Sequence, residues 1–399
     1  MSDEEGIKIR VRGLTKVFGA QPEKAIALRN EGYKRAEILS RTGKTLGLSN
    51  IDFDVREGEL LVIMGLSGSG KSTLIRCLNR LIEPTEGDII IDGENIPQLD
   101  EKALRECRRR HFSMVFQHFA LFPHRSVRRN AEYGLEVRGV NRDEREKKAD
   151  EALKQVGLEG WEEAMPSQLS GGMQQRVGLA RALANDASVL LMDEAFSALD
   201  PLIRGDMQQE LIELQERTQK TTIFITHDLD EAINIGDRII LLKDGEIVQI
   251  GTPEEILTAP ADDYVARFVE GVDKTRILTA TAAMRPVRAT ARDDDGPRTA
   301  LYKMRESTLE SIYVIDRERR LLGIVTAERL AEATDSVDIR DLVDVDCPRT
   351  GPETPLHDLF SMFEQRNYPI AVVDDNERLK GVVVRGAVIE QLARAGEKA

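Results

Sequence analysis

Apolar and polar positions alternate along this chain with two different periods, and these periods predict the order of its elements. A strand-like segment runs from Ile7 to Val11, a polar stretch follows from Gln21 to Lys44, and strand and helix patterns then alternate from Leu48 to about Leu242. Because strands that alternate with helices are joined by crossovers, this region predicts a mostly parallel sheet of the α/β class. Between Phe119 and Gln168 the strand patterns stop, so we expect a helical insertion at about residues 119–170.

The character of the sequence changes at about Lys274, where Ala- and Thr-rich turns lead into a region with an internal repeat. The run Ile312-Tyr-Val-Ile-Asp316 and the strand after it recur at a constant offset as Ile370-Ala-Val-Val-Asp374 and the strand after that. A constant offset indicates two copies of one α/β unit that bury their apolar faces against each other. We therefore predict two domains, residues 1–272 and 273–399, with the two copies at about 276–335 and 336–395.

Charge and composition exclude several classes of protein. The chain of 399 residues has 56 basic and 70 acidic side chains and a net charge of −14, which argues against a surface for nucleic acid. No apolar run approaches the roughly 20 residues of a membrane-spanning helix, and the start MSDEEGIKIR does not look like a secretory signal. Cys77, Cys107 and Cys347 stand far apart without a CxxC pair, so we expect neither a disulfide framework nor a thiolate zinc site.

The octamer Gly65 to Ser72 indicates phosphate binding. It matches the pattern GxxxxGKS/T and lies between an apolar strand and a helix. Its glycines allow backbone N–H groups and a helix N-terminus to point at phosphate, and its lysine reaches the β- and γ-phosphates. We expect bound ATP, with Mg²⁺ held partly by the Ser72 hydroxyl. The residues predicted to contact the nucleotide are consecutive: Gly65, Leu66, Ser67, Gly68, Ser69, Gly70, Lys71, Ser72 and Thr73.

Two further strands end in residues suited to hydrolysis. The apolar run Val189 to Met192 is followed by Asp193 and Glu194, and the run Thr222 to Ile225 is followed closely by His227. The carboxyl ends of parallel strands meet at the edge where such folds bind ligands. One acid can hold the hydration shell of magnesium, and its neighbour can polarise water.

Three segments resemble the motifs of ATP-binding-cassette (ABC) ATPases. Leu169 to Arg176 resembles the LSGGQ signature, Phe116-Gln117 the Q-loop, and Ser197 to Asp200 the D-loop, in the order and spacing of that family. The resemblance implies a P-loop NTPase fold and a head-to-tail homodimer. In such a dimer, Ser170, Gly171 and Gly172 of one copy close on the ATP held by the other copy.

The same resemblance assigns roles to single residues. It implies that Glu194 is the general base for the attacking water, that Asp193 belongs to the magnesium shell, and that His227 contacts the γ-phosphate. Gln117 would sense both metal and water, and Asp200 lies in the D-loop near the nucleotide. An aromatic residue usually stacks on the adenine, and Phe18 matches that position, although Tyr33 also lies nearby in the polar stretch.

Longer segments are similar to those of the glycine betaine/proline betaine importers. They cover nearly the whole of the first 272 residues and include Ser40 to Gly47, Val62 to Gly70, Leu78 to Pro84, Phe119 to His124, Met192 to Arg204, Gly251 to Leu257 and Tyr264 to Phe268. In that family the insertion after the adenine-stacking residue accompanies a C-terminal pair of cystathionine-β-synthase-type (CBS) modules. The resemblance implies a peripheral ATPase subunit on the cytoplasmic face of the membrane. Its partners would be an integral permease and a periplasmic or extracellular substrate-binding protein or domain.

Other interpretations remain open at this point. The chain is 5% aromatic and has no clustered aromatic cage for a quaternary ammonium, so selection of the solute must occur on another polypeptide. The same motor could serve another small solute, such as an amino acid or choline. A soluble ABC ATPase of DNA repair or translation, and a CBS binding module with a degenerate ATPase, are further alternatives. We expect Trp161, the single tryptophan, in the core of the helical insertion.

The CBS pair departs from the family pattern. CBS modules that hold an adenosine ribose place Ser or Thr three residues before Asp, whereas the two copies here read Thr326-Ala-Glu-Arg329 and Val384-Arg-Gly-Ala387. Neither copy therefore supplies the acid, and we do not expect an ordinary adenine nucleotide there. A regulatory role, sensing ionic strength, a dinucleotide or the membrane surface, is favoured over a purely dimer-stabilising one.

Overall fold

The computed structural model describes residues 6–117, 119–270, 275, 278–334, 337–365 and 368–397. The chain forms two compact units, residues 1–269 and 270–399. Within the described part, no helix combines the length and apolar character needed to cross a bilayer. The strands of the first unit are β1 (Ile7–Phe18), β2 (Thr45–Arg56), β3 (Leu60–Met64), β4 (Glu86–Ile91), β5 (Glu94–Asn95), β6 (Phe112–Phe116), β7 (Val189–Asp193), β8 (Thr221–Thr226), β9 (Arg238–Lys243) and β10 (Glu246–Gly251). Its helices are α1 (Glu23–Asn30), α2 (Arg35–Thr42), α3 (Lys71–Leu78), α4 (Glu101–His111), α5 (Val127–Ala131), α6 (Tyr133–Val137), α7 (Arg142–Gln155), α8 (Gly171–Ala184), α9 (Pro201–Thr218), α10 (Leu229–Ile235), α11 (Pro253–Thr258) and α12 (Asp263–Val269).

The first unit contains two sheets. Six strands are ordered β10-β9-β3-β8-β7-β6, and all neighbours are parallel except β10 and β9, which confirms the predicted α/β fold. A second sheet, β2-β1-β4-β5, is antiparallel and was not predicted. The sequence pattern stopped at Val11, but β1 continues to Phe18 through several register shifts, which break the alternation of apolar positions. Leu61 and Ile63 of β3 are fully buried in the core between these layers.

The polar stretch between β1 and β2 is helical. Helices α1 and α2 bury Ala25 and Ile38 completely, and these residues pack with Val17 and Leu46 of the flanking strands. The last residue of β1, Phe18, pairs with the first residue of β2, Thr45. The insertion therefore leaves the sheet and returns to it at a single cross-strand pair.

Helices replace strands in the predicted insertion, where α5, α6 and α7 precede α8. The Asn141 side chain accepts a hydrogen bond from the Glu144 amide at 3.0 Å and begins α7 in the usual way for an N-cap.

The expected burial of Trp161 is wrong, because this side chain is 42% exposed. It lies in a surface turn after Gly160, where its amide donates to the carbonyl of Leu158 and its carbonyl accepts from the amide of Ala164.

The second unit consists of two similar halves. Its helices are α13 (Ala280–Ala283), α14 (Pro297–Ser307), α15 (Ala327–Glu332), α16 (Leu356–Gln365) and α17 (Arg385–Glu397). The strands form the sheets β11 (Thr290–Arg292), β12 (Ser311–Ile315) and β13 (Leu321–Thr326), and β14 (Arg349–Thr350), β15 (Ile370–Val373) and β16 (Leu379–Val383). The pair Val314–Gly323 in one half corresponds to Val372–Gly381 in the other, so the repeat read from the sequence is a repeat of structure. The Thr326 hydroxyl caps α15 by accepting from the Arg329 amide.

Candidate functional site

The phosphate loop, residues 65–70, joins the carboxyl end of β3 to the N-terminus of α3. Gly65 has a φ of 151°, and a Cβ atom there would lie 2.1 Å from the carbonyl oxygen of Leu242. Gly70 has a φ of 111°, and its Cβ atom would lie 2.8 Å from the carbonyl oxygen of Gly47. Only glycine fits both positions, and it leaves the amide groups at the start of α3 open to an anion.

Lys71, the first residue of α3, is buried inside this loop. Its Nζ donates to the carbonyl oxygens of Gly65 at 2.7 Å and Leu66 at 3.3 Å. It also lies 3.9 Å from Glu194 Oε1. Burial lowers the pKa of Lys71, and the charges of Glu194 and Asp193 oppose that shift. The ammonium group is thus held by the loop in a position facing the carboxylates.

Asp193 ends β7 and is almost fully buried. Its Oδ1 accepts from the Ser72 hydroxyl at 3.0 Å, and its Oδ2 accepts from Arg76 at 3.2 Å. Ser72 and Asp193 were both expected at the metal, whereas Arg76 was not predicted there, although it stands four residues after Ser72 and so shares its face of α3. A carboxylate and a hydroxyl oxygen at this distance form a pair of hard donors, which suits Mg²⁺.

Glu194 follows Asp193 with a φ of 50°, which is unusual for a residue other than glycine. Its amide donates to the carbonyl oxygen of Ile225 in β8 at 3.1 Å. Its Oε2 lies 3.4 Å from His227 Nδ1, and His227 itself is more than half exposed. The pairing of β7 with β8 brings the two residues together, as predicted from the ends of their strands. A strained backbone at such a position is typical of functional sites.

A cavity of about 300 Å³ extends from the phosphate loop and Glu194 to Phe18. Phe18 is 41% exposed, and its ring packs so closely on Gly47 that a Cβ atom there would lie 2.7 Å from Cε2. Tyr33, the other aromatic residue considered for adenine, instead stacks with Arg41 at 3.9 Å and does not line this cavity. Phe18 thus has the exposed aromatic face that a purine needs.

Two residues of the cavity wall come from the inserted helices and β2, and sequence analysis missed both. Arg35 begins α2, and its Nη1 donates to the carbonyl oxygen of Gly68 in the phosphate loop at 2.9 Å. The same nitrogen lies 4.0 Å from Asp244 Oδ1. Thr45 completes this wall. No motif marks Arg35, and the resemblance of Ser40 to Gly47 gave Thr45 no role at the site. The return of the insertion to the sheet brings both residues to the loop.

The signature segment, residues 169–176, lies apart from this cavity. Ser170 caps α8 by accepting from the Met173 amide at 3.3 Å, and Asp200 caps α9 by accepting from the Ile203 amide at 3.1 Å. A Cβ atom on Gly172 would lie 2.6 Å from Ile203 Cγ2, so the starts of α8 and α9 are close together. Among the described residues, the lining of the cavity at Phe18 includes none of Ser170, Gly171, Gly172, Asp200 and Gln117.

Gln117 connects to the site indirectly. Its Nε2 donates to Ser197 Oγ at 3.1 Å, and that hydroxyl donates to the carbonyl oxygen of Glu194 at 2.9 Å. Ser197 is therefore another residue that the sequence did not single out for this role. Contact of Gln117 with a metal ion stays a prediction.

The residues present fit ATP and Mg²⁺. A loop that has no room for side chains at Gly65 and Gly70, and a buried ammonium at Lys71, provide a cradle for phosphate. Asp193 and Ser72 supply the oxygen pair for the metal at the edge of that cradle. Phe18 stands at the far end of the same cavity, where a base would lie.

Comparison with known proteins agrees with this geometry. Residues 48–197 match the ABC transporter family, and residues 280–336 and 339–394 each match the CBS domain. Over 396 residues the chain is 55% identical to the glycine betaine transport ATP-binding protein OpuAA of Bacillus subtilis, covering 99% of this chain and 94% of that protein. The chain belongs to the family of glycine betaine transport ATP-binding proteins. It is thus an ABC ATPase with a CBS pair.

Further members of this family and solved cassettes extend the match. The glycine betaine/proline betaine transport system ATP-binding protein ProV of Escherichia coli is 46% identical over 394 residues, which cover 98% of both chains. A solved dimeric structure of the ATP-binding cassette MJ0796, bound to ADP and Pi, aligns with a TM-score of 0.52 and 35% identity. It covers 61% of this chain and 98% of its own, so it corresponds to the cassette without the CBS pair.

Proposed function

We propose that this chain is the ATP-hydrolysing subunit of an importer for glycine betaine, proline betaine or a related quaternary amine. The observation that carries the proposal is the meeting of Lys71, Asp193, Glu194 and His227 at one edge of the parallel sheet. A degenerate ATPase would not need this set. The names of the relatives support the solute class, which the cassette itself does not select.

Binding of the nucleotide follows from the cavity. The amides of the phosphate loop and the N-terminus of α3 face the phosphates, and Lys71 is released from the carbonyls of Gly65 and Leu66 to neutralise them. Phe18 stacks on the base. Arg35 exchanges part of its contact with Gly68 for the nucleotide.

Hydrolysis depends on positioning and on charge. Ser72 and Asp193 would hold Mg²⁺, and the metal would supply positive charge against the charge that develops on the phosphate oxygens. Glu194 accepts the proton of the attacking water, and its neighbour His227 orients the carboxylate and contacts the terminal phosphate. The hydrogen bonds from Gln117 to Ser197 and from Ser197 to Glu194 couple this site to the loop that follows Gln117.

We assign the working form to a head-to-tail homodimer, because the signature segment lies apart from the nucleotide cavity within one chain. The N-terminus of α8, with Ser170, Gly171 and Gly172, presents amide groups to a γ-phosphate held by the second copy. Asp200 would lie beside that junction at the start of α9. One copy therefore holds ATP, and two copies are needed to enclose it.

The permease docks, in this proposal, on residues 117–128 at the cytoplasmic face of the membrane, and a separate substrate-binding protein or domain delivers the solute. Phe119 lies beside the signature, since a Cβ atom on Gly171 would be 3.7 Å from its ring, and Phe122 packs on Tyr133 at 4.6 Å. This loop begins at Gln117, which is linked to Glu194 through Ser197, and it contacts the signature at Phe119. It can therefore transmit the state of the nucleotide.

We expect a Phe119→Ala, Phe122→Ala double variant to lose capture by the permease and to lose stimulated ATPase activity. Retention of both would contradict this docking site.

The CBS pair is assigned a regulatory role. Removal of residues 275–399 should change the dependence of uptake on external osmolarity while leaving hydrolysis by the cassette intact. Unchanged uptake at every osmolarity would indicate a purely dimer-stabilising role.

Uptake of labelled glycine betaine by vesicles that contain this chain with its permease and binding protein tests the proposal directly. Uptake should require ATP inside the vesicle and should stop with Lys71→Ala. Labelled choline and an amino acid, run in parallel, distinguish the alternative solutes. ATP hydrolysis that no permease or solute stimulates would favour a soluble, non-transport ABC ATPase.

A further inference from the structure

A cluster of metal-ligating side chains lies where α4 meets the turn and strand that follow β4. Cys107 and His111 stand one helical turn apart on α4, and Glu94 is the first residue of β5. One ligand atom from each of these three side chains lies within 4.8 Å of the others. Cys107 and His111 are 1% and 5% exposed, whereas Glu94 is half-buried at the entrance. The cluster therefore has a buried floor and an open side.

The hydrogen bond from Arg110 shows which ring nitrogen of His111 carries no proton and can therefore bind a metal once the guanidinium leaves. Its Nε2 accepts from Arg110 Nε at 2.8 Å, so the ring proton is on Nδ1, because arginine has no acceptor. Nδ1 lies 3.2 Å from Asp92 Oδ2 and 3.2 Å from Ser188 Oγ. Histidines that bind metals usually have a carboxylate or other acceptor behind the second nitrogen, and Asp92 provides it here.

A cation already occupies the place between two of the ligands. The guanidinium of Arg110 donates to His111 Nε2 and, through another nitrogen, to Glu94 Oε1. The Arg110 side chain is 61% exposed, so it can turn into solvent without leaving a cavity in the core. The position thus attracts positive charge and can be vacated.

We propose that Glu94, Cys107 and His111 bind one Zn²⁺-type ion, which replaces the guanidinium of Arg110 between them. One sulfur, one nitrogen and one oxygen suit a borderline-soft ion such as Zn²⁺ or Co²⁺, with water as a fourth ligand, and do not suit Mg²⁺. The thiol proton of Cys107 passes to solvent on binding. The sequence argued against a thiolate zinc site because the cysteines form no CxxC pair, whereas here Glu94 joins Cys107 and His111 only through the tertiary fold.

This site is separate from the nucleotide site. His111 and Ser188 immediately precede β6 and β7, whereas Asp193 and Glu194 lie at the other end of β7. An ion here would fasten β5 of the antiparallel sheet to α4, whose last residue, His111, immediately precedes β6 of the parallel sheet. The strand β6 then leads directly to Gln117.

Titration of the full chain with Co²⁺, free of nucleotide and Mg²⁺, tests the proposal. We expect one Co²⁺ per chain, a thiolate-to-cobalt charge-transfer band, and displacement of the band by one equivalent of Zn²⁺. Cys107→Ser and Cys107→Ala should abolish the band, and His111→Gln should weaken binding at least tenfold. Cys347→Ser, which removes another buried thiol in the second unit, is the matched control and should retain the band. Circular dichroism confirms that each variant is folded before its titration is interpreted.

Arg110→Ala distinguishes a metal site from a purely structural ion-pair cluster. If the guanidinium competes with the ion, its removal should tighten Co²⁺ binding by about tenfold, which corresponds to the loss of one charge-assisted contact. The proposal is overturned if neither the wild type nor Arg110→Ala gives the band, if the band persists in folded Cys107→Ala, or if Arg110→Ala binds Co²⁺ more weakly.

Discussion

Substitution of Glu194 by glutamine separates binding of ATP from its hydrolysis. The change keeps the size of the side chain and removes its negative charge. That charge now faces Lys71 Nζ at 3.9 Å and His227 Nδ1 at 3.4 Å. Glu194→Gln should therefore abolish the proton acceptor for water while leaving the shape of the phosphate cradle unchanged.

The structure indicates the size of both effects. Loss of a positioned general base lowers turnover by about 10²- to 10⁴-fold, or roughly 3 to 5 kcal/mol in the activation barrier. The attraction between Lys71 and Glu194 amounts to about 4 kcal/mol in Coulomb energy at an effective dielectric constant of about 20, before desolvation is counted. Without that competitor, Lys71 is free for phosphate, so affinity for ATP should be unchanged or higher.

Steady-state phosphate release and titration with a fluorescent ATP analogue measure the two quantities on the same preparation. Glu216→Gln is a matched control, because Glu216 is an exposed glutamate on α9 away from the cavity, and it should hydrolyse ATP at the wild-type rate. The general-base assignment is refuted if Glu194→Gln retains more than about a tenth of wild-type turnover. Loss of nucleotide binding would refute the view that Glu194 is dispensable for the cradle.

Three further predictions concern the cavity and the core. Arg35→Ala should raise the KM for ATP about three- to tenfold with little change in kcat, because one charge-assisted contact is lost. Arg35→Lys should recover part of the affinity for ATP. A fall in kcat alone would contradict this role. Gly65→Ala should eliminate binding of the fluorescent analogue, because its methyl group would lie 2.1 Å from a backbone oxygen, whereas Gly205→Ala, which has open space around it, should bind normally. Leu191→Ala in β7 should lower the free energy of unfolding in urea by about 2–5 kcal/mol. The exposed Leu202→Ala should stay within about 0.5 kcal/mol, and equal losses for both would show that burial is not the cause.

The parts of the site that could be predicted are those marked by a local sequence pattern. The residues predicted to contact the nucleotide, 65–73, form one continuous segment, and Asp193, Glu194 and His227 follow apolar runs whose parallel pairing brings their ends together. The order of strand and helix patterns was enough for the parallel sheet. In each case a local pattern and one general rule of folding sufficed.

The parts that were missed depend on partners distant in the chain. Arg35 reaches Gly68 only because α1 and α2 fold back over the sheet, and Ser197 is distinguished only by its two hydrogen bonds. The antiparallel sheet escaped detection because register shifts in β1 interrupt its alternation. Trp161 was misplaced because the apolar nature of a residue does not show whether its turn faces the core.

The polar stretch leaves the sheet after Phe18 and returns to it at Thr45, so evolution or protein engineering can change it separately from the sheet. Because Phe18 and Thr45 are cross-strand neighbours, residues 19–44 are in effect one long hairpin loop. A tight turn can connect the same two strand ends, but it would remove the packing of Ala25 and Ile38 on the sheet and the hydrogen bond from Arg29 Nη1 to Thr15 Oγ1. The segment can be gained, lost or exchanged in one genetic step, and that step would bring or remove Arg35 as a unit. The part of the nucleotide cavity wall that Arg35 supplies is therefore the part that can be exchanged together with this segment.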